Sequence, residues 1–125
     1  MSIFRPFQGL RPIPEKAKAV ASRPYDVLNS EEARTEATGN PDSFLHVVKP
    51  EIDLPPDTNL YSEAVYEKGR ENFEAMLTAG TFTEDASPCF YLYELTMDGR
   101  KQTGIVGCSA VQDYFDNIIL KHELT

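Results

Sequence analysis

The clearest pattern of apolar and polar positions lies over 88–109, Pro88-Cys-Phe-Tyr-Leu-Tyr-Glu-Leu-Thr-Met-Asp-Gly-Arg-Lys-Gln-Thr-Gly-Ile-Val-Gly-Cys-Ser109, apolar at its ends and polar toward its middle. Two strand-like runs flank Asp98-Gly99, a dipeptide suited to a two-residue hairpin loop in which both central residues take positive φ. Such a loop sets the register. Met97 faces Arg100, Leu95 faces Gln102, Tyr93 faces Gly104, Tyr91 faces Val106 and Cys89 faces Cys108. On the other side Leu92 meets Ile105 and Phe90 meets Gly107. Both strand glycines then lie opposite aromatic rings, which cover bare backbone. Near the base both faces are apolar, which predicts a hairpin central in its sheet.

The rest of the chain carries weaker periods. Residues 3–10 alternate enough for an edge strand, where Pro6 is tolerable. Pro14 suits the first position of a short helix over 15–21. Asn29 and Glu32 have capping-box spacing, and Gly39-Asn-Pro41 ends the helix they open. Ser43–Lys49 is β-branched and alternating, so it reads as a strand with Phe44, His46 and Val48 on one face. A histidine there suits a satisfied core position as well as a site. Pro50–Asp57 reads as an extended, exposed acidic connector. Tyr61, Val65, Phe73, Met76 and Leu77 lie at helical spacing and predict the longest helix, 60–79, with Gly69 permitting close approach and Gly80 as its stop. Val111–Asp116 reads as a turn or short helical link. The expected fold is α+β: a mixed sheet built around a central antiparallel hairpin (88–109), packed by one long helix (60–79) and short helices.

Composition narrows the classes. A chain of 125 residues with 41% hydrophobic content suits a single domain, 1–125. No apolar run is long enough to span a membrane, and the start lacks the apolar core of a signal peptide, so a cytoplasmic protein is expected. A net charge of −8 disfavours direct nucleic-acid binding by this domain. The last residues, Leu120-Lys-His-Glu-Leu-Thr125, stop in a patterned charged segment, which suggests the N-terminal fragment of a longer protein. The only two cysteines face each other in the hairpin at a hydrogen-bonded position. The Cα separation of about 5.5 Å expected there is awkward for a disulfide, so both are read as small buried apolar side chains rather than a bridge.

Candidate chemistry gathers in few places. There is no Walker loop, dinucleotide glycine fingerprint, Cys-x-x-Cys or His-Glu-x-x-His. Pro24 forces Arg23 extended and fixes a rigid loop that displays Arg23, Tyr25 and Asp26 together. The plainer account is an aspartate bonded to its own turn. Lys121-His-Glu123 with Thr125 can bind an anion, relay a proton and hold a metal or orient a base. The plainer account there is the charged start of a surface helix.

Arg23-Pro-Tyr-Asp-Val-Leu28, Asn40-Pro-Asp-Ser-Phe-Leu-His46 with Lys49-Pro-Glu51, the Gln102-Thr-Gly run, Asp113-Tyr114 and Lys121-His-Glu-Leu-Thr125 resemble the bacterial and archaeal family catalogued as domain of unknown function 1015. The resemblance runs over nearly the whole chain and implies a protein about three times longer, with no established activity. Some members carry a label linking them to ParB-type partitioning proteins. That superfamily includes sulfiredoxin and free-serine kinases, which handle nucleotides and phosphate. The chain lacks the Gly-Glu-Arg-Arg-type phosphate motif of ParB.

Two readings follow. The first is an enzyme, a nucleotide- or phosphate-handling domain that transfers phosphate to a small metabolite, with a nucleotide and Mg²⁺ as the implied cofactors. Asp26, His122 and Glu123 would be catalytic. Arg23, Lys49 and Lys121 would hold phosphate, with Tyr25, His46 and Thr125 completing the substrate set. Asp26, Glu51 and Glu123 are the candidate metal ligands. The second is a ParB-like regulatory or interaction module without catalysis. A weaker third is a metal-dependent hydrolase using His46 and His122. The enzyme reading predicts that Arg23, Asp26, His46 and Lys49 converge in one cleft. The interaction reading predicts an exposed apolar patch or sheet edge.

Overall fold

A computed structural model describes residues 3–120. In chain order the elements are β1 (Phe4–Arg5), β2 (Leu10–Pro12), α1 (Ala17–Val20), a 3-10 turn (Tyr25–Val27), α2 (Ser30–Ala37), α3 (Leu45–Val48), a second 3-10 turn (Pro50–Asp53), α4 (Glu63–Thr78), β3 (Phe82–Glu84), β4 (Tyr91–Met97), β5 (Arg100–Val106), β6 (Cys108–Ser109) and α5 (Val111–Phe115). The fold is α+β, with one long helix. Its described strands form three two-stranded sheets, β1 with β6, β2 with β3 and β4 with β5.

The chain divides into two compact units, 11–83 and 3–10 with 84–120. The 11–83 unit holds the core. Leu28, Ala33, Ala37, Leu45 and Ile52 form one buried cluster. Helix α2 is opened by the expected capping box: the Asn29 side chain accepts from Glu32 N–H while the Glu32 carboxylate accepts from Asn29 N–H. Helix α4 packs against α3 and the Pro50–Asp53 turn. It comes close because Gly69 has no side chain: a Cβ there would sit 3.2 Å from both the Val47 carbonyl oxygen and Pro50 Cγ. Gly80 ends the helix with φ of 72°. Tyr61 precedes the helix and is 86% exposed, so it is not part of the apolar face.

Two expectations are overturned in this unit. Ser43–Lys49 is not a strand. Val48 N–H donates to the Phe44 carbonyl and Lys49 N–H to the Leu45 carbonyl, closing the turn of α3. β-branched residues favour a strand only where a ladder neighbour exists; here burying Leu45 and seating the backbone on Gly69 decides the conformation. The Pro50–Asp57 connector is not extended throughout. Its first half is a 3-10 turn with Pro50, Glu51 and Ile52 buried. The Arg34 guanidinium donates to the carbonyls of Glu51, Ile52 and Leu54.

In the other unit the hairpin has the predicted register over all seven pairs, from Tyr91↔Val106 to Met97↔Arg100. Asp98 (φ 51°) and Gly99 (φ 76°) make the turn. The hairpin is a sheet by itself rather than the centre of a mixed one. The predicted Cys89–Cys108 pairing is replaced: Arg5 pairs with Cys108, Phe4 with Ser109, and Phe7 bridges Cys89. The Phe4 ring lies over Gly107 and stacks on Phe90 at 5.2 Å, so the N-terminal segment takes up the base of the hairpin. Both cysteines are free thiols, but neither is buried as expected: at the base of the hairpin, outside the packed core, Cys89 is half-buried and Cys108 exposed. Among the described residues of this unit no apolar side chain is buried; only Gly9 is.

Candidate functional site

Pro24 is itself extended (φ −55°, ψ 144°) just before the Tyr25–Val27 turn, and the whole stretch Arg23–Val27 is exposed. Arg23 is engaged. Its Nε and NH2 reach one oxygen of Glu36 at 2.8 and 2.6 Å. It opens onto a shallow depression of about 640 Å³ together with Glu31, Glu32 and Glu36. Three carboxylates around one paired guanidinium repel a phosphate.

Lys49 and Glu51 are brought together, with each other. Lys49 Nζ lies 3.3 Å from Glu51 Oε1, and the Ser30 hydroxyl donates to the same oxygen at 2.9 Å. Their side chains are only 14% and 10% exposed, so the pair is largely inside the protein.

His46 faces a different cavity, of about 510 Å³, lined also by Asp42, Asp53, Lys68, Asn72 and Thr81. Its Nδ1 lies 2.8 and 3.0 Å from the two oxygens of Asp53, and its Nε2 lies 3.1 Å from the Asn40 carbonyl. Both ring nitrogens thus face acceptor oxygens. The Asn72 amide donates to the His46 carbonyl at 2.7 Å and to Asp53 at 2.8 Å, tying α4 to this corner. Thr81, fully buried, has a hydroxyl without a partner among the described residues. Asp53, Asn72 and Thr81 escaped sequence reasoning. An asparagine inside a helix, where its side chain competes with the backbone, was the one available signal.

Arg23 and His46 therefore open onto separate cavities. Lys121, His122, Glu123 and Thr125 lie outside the described residues. No cluster of three or more histidine, cysteine or carboxylate side chains able to hold a metal occurs among the described residues. No helix among them is long and apolar enough to cross a membrane.

The hairpin unit carries one further polar knot. The Tyr91 hydroxyl donates to Asp85 at 2.5 Å and accepts from Gly9 N–H at 2.6 Å. The hydrogen bond to the Asp85 carboxylate, and then partial burial, hold the phenol above its ordinary pKa. Above this knot the hairpin is bare. Tyr93, Leu95 and Met97 form a stripe along one face of β4, 60, 54 and 77% exposed, and Leu92 and Ile105 pair on the other at 77 and 67%.

No curated protein matches the chain, and no solved structure does. The residues that suggested a family are spread from the Arg23–Leu28 loop to the segment beyond the hairpin, and a family model matches that same span. The chain belongs to the family described as protein of unknown function (DUF1015), over residues 4–125.

Proposed function

We propose that this chain is an interaction module, and that its working surface is the β4–β5 hairpin. The supporting observation is the bare hairpin: an exposed Tyr93–Leu95–Met97 stripe on one face, the exposed Leu92–Ile105 pair on the other and, among the described residues, two open outer edges and no buried apolar side chain in the unit. A two-stranded hairpin is marginal in water by itself, and exposed apolar patches of this kind mark contact surfaces. Two of the residues expected to hold phosphate are otherwise occupied, Arg23 by Glu36 and Lys49 by Glu51. The test is binding of a polarity-sensitive dye to the dilute chain, with hydrogen exchange of the hairpin amides. The dye is expected to bind, and Leu95→Glu with Met97→Glu to reduce binding several-fold. Amides that are protected, and a dye that is excluded, at the lowest concentration overturn the reading.

One observation favours the phosphate-handling reading: the cavity beside His46 has on its wall Lys68, whose ion pair with Glu71 is long, at 3.7 Å. A ligand there at ~100 Kd adds ~2.7 kcal/mol to stability. A thermal-shift series with ATP and inorganic phosphate, with and without Mg²⁺, reads it directly. A shift that Lys68→Ala abolishes supports a ligand site; no shift on folded protein removes it.

A further inference from the structure

We infer that the hairpin's partner is a second copy of this chain, joined edge to edge through β5 about a two-fold axis at Thr103; this rests on the interaction reading above. The geometry follows from the turn. In a two-residue loop the closing pair Met97↔Arg100 exchanges hydrogen bonds within the hairpin, and so does every second pair after it. The alternate pairs aim their amides and carbonyls outward. On β5 these are Lys101, Thr103 and Ile105; on β4 they are Leu92, Glu94 and Thr96.

The two edges are not equivalent. Thr103 is the midpoint of β5 and Glu94 the midpoint of β4. Two copies paired antiparallel along β4 with full overlap set Glu94 against its own counterpart, and like charges directly opposite destabilise a sheet. Along β5, Thr103 meets Thr103, a favourable cross-strand pair, and Lys101 lies against Ile105 of the partner subunit. Three pairs then exchange two hydrogen bonds each. The Lys101 ammonium already has its counter-ion, Glu94 of the same hairpin at 3.1 Å, so its methylene stem is free to cover the isoleucine. The same patch meets itself, which a two-fold dimer requires.

Charge favours this surface over the rest of the molecule. The chain carries −8, yet within 91–106 Glu94 and Asp98 are offset by Arg100 and Lys101, for a net charge of zero. A second copy is repelled by most of the chain and not by the hairpin. The product is a four-stranded sheet, in place of two marginal two-stranded ones.

The experiment is sedimentation equilibrium on the full chain over a dilution series. The expected result is a monomer–dimer equilibrium. Thr103→Pro removes an outward N–H without touching the hairpin's own ladder, and is expected to weaken dimerisation about tenfold or more. Thr96→Pro does the same on the other edge and is expected to leave the dimer intact. Thr103→Lys, which leaves the backbone unchanged and sets two ammonium groups across the axis, is expected to weaken it too, so a folding defect from proline does not decide the outcome. A chain that stays monomeric while binding the dye overturns the dimer and leaves the interaction reading standing. Equal loss from both proline variants, or no loss from Thr103→Lys, also overturns it. Hairpin amides protected in a monomer overturn both.

Discussion

Tyr91 joins three stretches of one unit through a single oxygen, bonded to Gly9 and Asp85 beside the Phe7 ring at 5.0 Å. Its phenol is held above the ordinary value, so the folded state binds that proton more tightly than the unfolded chain does. The stabilisation is whole below the ordinary tyrosine pKa of about 10 and is lost as pH rises through the raised value. An alkaline titration followed by tyrosinate absorbance should show a late step that Tyr91→Phe removes, with the melting temperature falling through that step in the wild type. Lys49 and Glu51 offer a second case. Removing one partner of a buried pair strands the other, so Glu51→Ala should cost about 3 kcal/mol, whereas Lys49→Met with Glu51→Leu should cost far less. Urea titrations of the three proteins decide it. Both residues stand out in the sequence for their charge. That they satisfy each other was not legible, because pairing depends on a 3-10 turn that no periodicity announces. His46 repeats the lesson: it lies on a helical turn and not a strand, and its ring partners, Asp53 and the Asn40 carbonyl, are set by turns that no periodicity announces.

Elements were readable where a local rule dominated. Asp98-Gly99 demands positive φ at both positions, and all seven hairpin pairs followed from that. The Asn29–Glu32 box and the glycine stops of α2 and α4 are equally local. The 43–49 segment was misread because its β-branched content expresses itself only beside another strand. The two- and three-residue strands β1, β3 and β6 are too short to carry a period at all. The crossing of α3 over α4 depends on Gly69. Alanine there gains about 1 kcal/mol of helix propensity but presses on the Val47 carbonyl, which is backbone and cannot turn aside. Overpacking of this kind costs about 1–3 kcal/mol. Gly69→Ala should therefore be neutral to destabilising and Gly69→Val clearly destabilising, as the denaturant midpoints will show.

For the molecule as a whole, the division of the core matters most. Every described buried apolar side chain belongs to the 11–83 unit. Native-state hydrogen exchange should find its slowest amides in α4, around Val65–Met76, and fast exchange along the hairpin in dilute solution, because protection follows buried contacts. The difference between the two units lies in which apolar residues find cover. The place of Glu94 then acquires a further meaning. A hairpin with two free edges is in principle a monomer of an endless ribbon, and one joined edge does not stop the next from joining. A carboxylate at the middle of β4 ends that growth after a single step, as a gatekeeper does in strands prone to fibre formation. Replacing it with an apolar residue, Glu94→Val, should turn a finite assembly into an open one, visible as turbidity that rises with time and concentration.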